Sequence, residues 1–478
     1  MRASLTIGAL FGAILGTAPA LAEDSTTLLL VAETGTSTAP GQNLDELIQE
    51  ACEHAFQVRI ERAKIKEAEA LYAYAASLAY PRFSFNALVG GPTPEARTTV
   101  VNDLSTITPA SLETDFDFGS PGFTMRGQVD GALPLYTFGK IDTGKEAASH
   151  LVKAAEHAVT VSQAEVAVNV VKAFWTFQLT RTYLASLSEG RETLEKVLKR
   201  IEDLLDHDSP QVTENDRLRL KFALATLAVR ETEAKNINLV AQQAMRILLG
   251  REQTAPLEIR LADLEDLPTE IPPVERLVRL ARTGRPEVLA LGEVVEAAQA
   301  FVHLRKVLFL PDLFLGGFLR GAYTSNATNQ TNPFINDPFN NFDLGVGLGI
   351  RGELDVFTKL AQLEQAEAEA EIRTAQAQAV VAASDFEVRR LHVDLVGGYE
   401  RIGSLEKANT TARGWLAASV LGYDLGIGRA DELIDAFLAW AASEAELQKT
   451  RYDTMLTFSA MAQATGRMVG ANAGSFAE

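Results

Sequence analysis

Two hydrophobic periods alternate along this chain, and the switch from one to the other happens twice. In segment 82–90, Phe83, Phe85, Ala87 and Val89 oppose Arg82, Ser84 and Asn86. In segment 122–135, Phe123, Met125, Val129 and Leu133 oppose Thr124, Arg126, Gln128 and Asp130. Alternation of this kind predicts strands with one greasy and one wet face. Two more strands are predicted at about 313–323 and 342–353. In the last, Phe342, Leu344, Val346, Leu348 and Ile350 alternate with Asp343, Gly345, Gly347, Gly349 and Arg351. Polar, proline-bearing stretches at 91–121 and 326–341 separate the members of each pair and predict loops.

Each strand pair then runs into a proline-free helical pattern, Ile141 to Asp206 and Val356 to Asp424. At 1.5 Å per residue, each would span roughly 100 Å, more than a single globular domain needs. The switches fall at LPLYTFGK, Leu133–Lys140, and ELDVFTKL, Glu353–Leu360, where Phe138-Gly139-Lys140 aligns with Phe357-Thr358-Lys359. A helix over 44–79 ends at Pro81, and one over 274–309, broken near Gly284-Arg285-Pro286, ends at Pro311. Shorter helices over 213–249 and 430–465 close the two halves, after breaks at Asp208-Ser209-Pro210 and at Gly426 and Gly428. The pattern reads as a duplication. A first repeat covers 44–250, a linker 251–273 and a second repeat 274–466.

Charge and chemistry narrow the function. The chain has 44 basic and 63 acidic side chains, a net charge of −19, and no basic stripe to hold nucleic acid. Met1-Arg2, an apolar run from Leu5 to Leu15 and Ala20-Leu21-Ala22 predict an export signal over 1–22, followed by a flexible segment, 23–43. Residues 467–478 form a tail. The single cysteine, Cys52, allows no intramolecular disulfide. His150 and His157 share a helix face without a third ligand, and neither a phosphate-binding glycine loop nor a nucleophile–base arrangement stands out. No enzyme, cofactor or metal site is expected.

Strands of these lengths match tilted transmembrane strands. Four cannot close a barrel, and an open edge cannot face lipid. Copies of the chain must complete the sheet, and three copies supply a twelve-stranded barrel. The alanine seams of Lys359–Ala383, wet on both flanks, suit the wall of a hollow helical tube. The other reading of the helices is a solid antiparallel coiled-coil rod, a periplasmic scaffold without a pore.

In order and spacing the chain resembles the TolC family of outer-membrane efflux channels from about Leu44 to Gly466. The resemblance rests on Tyr80-Pro81, on Pro134-Leu135 before Phe138-Gly139-Lys140, and on Arg285-Pro286-Glu287. It rests also on Leu310-Pro311 and on Gly426 to Ala436 before the last helix. It implies a mainly α fold with a membrane β-barrel: a homotrimer whose 12-stranded barrel in outer-membrane lipid continues as an α-helical tunnel in the periplasm. It further implies docking to a periplasmic adaptor and an inner-membrane transporter, with no catalysed reaction. Its periplasmic gate would include Tyr423 as a hydrogen-bonding residue and Glu432 and Asp435 as an acidic constriction. Asp216 would be the first-half partner. Arg429 would replace the family's gate arginine, with Gly428 at the expected place.

Overall fold

A computed structural model describes residues 41–101, 111–207, 212–260, 271–330, 336–425 and 427–468. The export signal, Asp208-Ser209-Pro210, Gly426 and most of 23–43 and 467–478 lie outside the described residues. In chain order the elements are α1 (Leu44–His54), α2 (Phe56–Ser77), β1 (Arg82–Val101), β2 (Ser111–Tyr136), α3 (Lys140–Asp206) and α4 (Glu214–Leu248). Then follow α5 (Val274–Gly284), α6 (Pro286–Val307), β3 (Asp312–Thr324), β4 (Asn341–Arg351), α7 (Val356–Asp424) and α8 (Ala430–Ala464). The chain divides into two compact units, and each draws on both halves of the sequence.

The first unit takes the described residues of Met1–Ile60, Thr160–Pro286 and Val381–Glu478. One apolar cluster joins the end of α3 (Leu187, Leu194, Ile201), the start of α4 (Leu220, Leu227), Tyr423 of α7, and Leu433, Ile434 and Phe437 of α8. A second joins Leu277 and Ala281 of α5 to Val388 and Leu391 of α7 and to Met461 and Ala464 of α8.

The same device closes both halves. Gly250 follows α4 at φ 67°, and Gly466 follows α8 at φ 72°. In each case the residue before the glycine, the glycine and the residue after it donate to carbonyls of the last turn. Leu249 reaches Met245, Gly250 reaches Ile247 and Arg251 reaches Arg246; Thr465 reaches Met461, Gly466 reaches Gln463 and Arg467 reaches Ala462. Left-handed backbone of this kind favours glycine. Each glycine also abuts the end of the short helix that opens its half. A side chain at Gly250 would sit 2.8 Å from the His54 carbonyl oxygen, and one at Gly466 only 2.1 Å from that of Gly284. This packing corrects the first expected helix. The 44–79 pattern breaks at Ala55, whose ψ of 139° leaves the helix, because the carbonyl end of α1 is where Gly250 docks.

The second unit, Glu61–Val159 and Glu287–Val380, holds a four-stranded antiparallel sheet in the order β1-β2-β3-β4. β1 and β4 are its edges. The expected loop over 91–121 is largely strand, with β1 and β2 paired from Glu95↔Asp117 to Thr99↔Glu113 and beyond. Pro92 and Pro94 are accommodated because the ladder shifts register between Gly90 and Glu95, where no regular N–H donor is needed. β4 ends at Arg351, two residues short of the sequence reading. The two aligned tripeptides also part company. Phe138 (φ 52°) and Gly139 (φ 86°) form a left-handed turn before α3, whereas Phe357-Thr358-Lys359 already lie in α7. The lysines keep a common role at the junction between α6 and β3. Lys140 Nζ reaches Asp312 Oδ1 at 2.7 Å, and Lys359 Nζ donates to the Leu308 carbonyl at 3.0 Å.

Candidate channel lining and helix-end constriction

The register sorts the sheet's residues into two faces. Leu319 lies beside both Val129 and Leu344, Leu315 beside Leu133 and Leu348, and Phe85 beside Val129. Phe83, Phe85, Val89, Met125, Val129, Leu319 and the β4 series Phe342, Leu344, Val346, Leu348 and Ile350 are all exposed, Val346 and Ile350 at 75% each. This is one continuous apolar face. Burying such a face is favourable by about 25 cal/mol for each Å² removed from water. Along β4 it runs from Phe342 to Ile350, roughly 27 Å at strand rise, close to the apolar band of a membrane barrel. Aromatic pairs stand near its ends: Phe123 with Tyr323 (centroids 6.1 Å apart) and Tyr136 with Phe138 (4.7 Å). The opposite face carries Arg82, Ser84, Asn86, Arg126, Gln128, Asp130, Arg320, Asp343 and Arg351, interspersed with glycines.

The first unit brings together the ends of four helices: α3, α4, α7 and α8. α7 is ended by a tight turn in which Ile427 and Gly428 both donate to the Gly422 carbonyl, at 3.0 and 2.8 Å. A side chain at Gly428 would come within 2.7 Å of the Gly422–Tyr423 backbone. Only glycine fits there without a shift of that backbone.

Tyr423 is buried among the apolar cluster, with the Arg200 guanidinium 5.6 Å from its ring centroid. Arg200 also pairs with Asp424 at 3.3 Å. The Tyr423 hydroxyl has no hydrogen-bond partner among the described residues. Burial pushes its pKa up, Arg200 pulls it down, and Asp216 and Asp424 add to the rise. Asp216 is close enough to influence both Tyr423 and Arg429, but its carboxylate is engaged at home. Thr213 donates to Asp216 Oδ2 from its N–H at 2.9 Å and from its hydroxyl at 2.7 Å, a reciprocal cap on α4. Arg429 occupies the N-cap position of α8 and clamps Asp431 through Nε (2.9 Å) and Nη2 (2.6 Å). That pair holds the Asp431 carboxyl below its usual range.

Glu432 and Asp435 project from the exposed side of α8, away from buried Leu433, Ile434 and Phe437. Neither has an ion-pair partner among the described residues. Tyr423, Asp216 and Arg429 are thus gathered at one helix end, with Glu432 and Asp435 on the adjoining open face. The residue that sequence reasoning missed is Arg200. Its contacts are 223 and 224 positions away, and no local pattern marks it. Because the Tyr423 hydroxyl is buried without a partner, Tyr423→Phe is expected to leave stability unchanged or raise it by about 1 kcal/mol. Thermal unfolding in detergent checks this; a clear loss would mean that the hydroxyl is bonded in the assembled protein.

Among the described residues no group of three or more side chains could hold a metal ion, and no helix is long and apolar enough to cross a membrane. His150 is occupied by Glu293, 2.6 Å away.

A long-helix chain with a four-stranded sheet, apolar on one face and open at both edges along its four-stranded part, has the fold of the outer-membrane channels. The outer-membrane channel OprN superposes with a TM-score of 0.70 at 20% identity, over 88% of this chain and 89% of that one. The outer membrane protein VceC from Vibrio cholerae gives 0.69 at 17% identity, over 88% and 96%. The Campylobacter jejuni CmeC outer membrane channel gives 0.69 at 15% identity, over 92% and 94%. The single-chain fold expected from the resemblance to TolC-family channels, long helices joined to a four-stranded sheet, is therefore the one observed. No protein-family model matches the chain, and no curated protein matches it in sequence.

Proposed function

We propose that three copies of the chain join their sheets, β1 of one against β4 of the next, into a 12-stranded barrel in the outer membrane. The helices form a tunnel in the periplasm. The assembly is an exit duct for efflux or type I secretion, driven by an inner-membrane pump through a periplasmic adaptor, and it catalyses no reaction. One observation carries this reading: a sheet whose four-stranded part has a complete apolar face and two unpaired edges has no stable place in water, and closure by copies in lipid satisfies both faces and both edges. The solved channels of the same fold support it. A pore-less periplasmic scaffold accounts for the helices but leaves the apolar face of the sheet without a purpose.

In this reading the helix ends around Tyr423 form the gate. Glu432 and Asp435 of three copies ring its opening, Asp216 and Arg429 flank it, and Arg200 and Asp424 latch α3 to α7. A ring of carboxylates attracts cations and holds multivalent ones. Single-channel recording of the purified protein in planar bilayers tests this. Small openings that divalent cations block from the periplasmic side are expected, with the block relieved in Glu432→Ala/Asp435→Ala. Openings indifferent to those substitutions would remove the acidic constriction and keep the duct. A protein that is soluble without detergent and forms no channel would remove the duct.

A further inference from the structure

Along the four-stranded part of the sheet, up to the register shift at Gly90, the polar face carries charge of the opposite sign to the chain as a whole; beyond it the β1–β2 ladder adds Glu95, Glu113, Asp115 and Asp117 against Arg97. On the four-stranded part lie Arg82, Arg126, Arg320 and Arg351, against Asp130, Asp312 and Asp343. Two of the three carboxylates are already neutralised. Asp130 faces Arg320 at 3.9 Å and accepts from Gln128 at 2.5 Å, and Asp312 is held by Lys140 at 2.7 Å. Among the described residues Arg82, Arg126 and Arg351 have no ion-pair partner, and Asp343 has none either. The balance left on this four-stranded part is cationic, in a protein whose net charge is −19.

Two of the guanidinium groups are positioned by a repeated device. The Phe318 ring covers Gly345, where a side chain would come within 2.6 Å of it, and the Arg320 guanidinium stands 4.5 Å from the Phe318 centroid. Four residues along the strand, Phe314 lies over Gly349 at the same 2.6 Å spacing, with Arg351 at 5.4 Å from its centroid. Glycine on one strand admits the ring, and the ring seats the cation. A guanidinium stacked this way keeps its planar N–H edges for an oxyanion and loses little further freedom on binding. Beside the Phe318 shelf is a cavity of about 550 Å³ lined by Asn86, Arg126, Gln128, Arg320, Asn341 and Asp343.

We propose that the polar face of the sheet is an anion filter, which selects cargo bearing oxyanionic groups such as carboxylate, phosphate or sulfate. Arg126 and Arg320 contact the anion at the cavity, and Arg82 and Arg351 extend the cationic surface. The inference rests on the barrel reading, in which this face lines the lumen.

The test compares the full-length protein with Arg82→Gln/Arg126→Gln/Arg351→Gln and with the corresponding triple lysine variant in planar bilayers, using tripolyphosphate on the barrel side as probe. Tripolyphosphate is expected to reduce the wild-type current, and the glutamine variant is expected to need at least about tenfold more for the same reduction, the equivalent of 1.4 kcal/mol. The lysine variant, which keeps the charge, is expected to stay close to wild type. Equal sensitivity of the wild type and the glutamine variant, or no effect on either, overturns the filter while leaving the duct in place. If no protein conducts, the duct fails, and calorimetric titration of tripolyphosphate into the detergent-solubilised full chain decides the filter. Binding lost in the glutamine variant supports it, and binding absent or unchanged overturns it.

Discussion

Val346→Lys is expected to abolish assembly of the protein in membranes. Val346 is in the middle of the β4 apolar series and is 75% exposed in the single chain. On a lipid-facing strand, a lysine at the bilayer midplane costs about 2–4 kcal/mol, and a trimer carries that cost three times. The control is a milder change next door, on the other face. A side chain at Gly347 would meet nothing within 4 Å, so Gly347→Ser is expected to assemble normally. Extraction of membranes followed by electrophoresis with and without heating separates the assembled from the unassembled protein. Normal assembly of Val346→Lys would mean that this face does not meet lipid.

Gly466→Val is expected to cost about 3 kcal/mol or more, the size of effect that strained left-handed backbone combined with a core clash produces. At φ 72° a β-branched residue is badly placed, and the three nearest atoms, the Gly284 oxygen at 2.1 Å, its carbon at 2.5 Å and the Arg285 nitrogen at 3.0 Å, are all backbone. Nothing flexible can move aside. The equivalent change at Gly250 is expected to cost less, because its nearest neighbour, the His54 oxygen, stands at 2.8 Å. Gly397→Ala, inside α7 with open space around it, is expected to be neutral or to gain up to about 1 kcal/mol from helix propensity. Thermal unfolding in detergent ranks the three. A Gly466 variant as stable as wild type would show that the α5 and α8 ends are not clamped there.

The two long helices were legible almost to the residue, since 141–206 and 356–424 carry no proline and are rich in alanine and other strong helix formers. The strands were legible where one face is apolar. They were illegible beyond Gly90, where prolines, threonines and acidic residues look like loop, and only cross-strand pairing reveals the ladder. The break at Ala55 had no local signal, because alanine favours helix and the cause is a glycine almost two hundred residues away. At the helix ends, Thr213-x-x-Asp216 is a capping pattern visible in the sequence, and it accounts for the Asp216 carboxylate in the single chain. Arg429 takes a local partner, Asp431, two residues on, whereas Tyr423 meets Arg200, a partner that spacing alone does not supply. Side-chain chemistry at a helix end is set by which helices meet there, and that is a tertiary property.

The most direct measurement of the account is electron cryomicroscopy of the detergent-extracted full-length protein. The account predicts a three-fold particle in which β1 of each copy pairs with β4 of the next, the apolar series of β4 faces the detergent, and the Arg126 and Arg320 face is turned inward. A monomeric particle with β1 and β4 unpaired, or a closed sheet with the arginines outward, would contradict it.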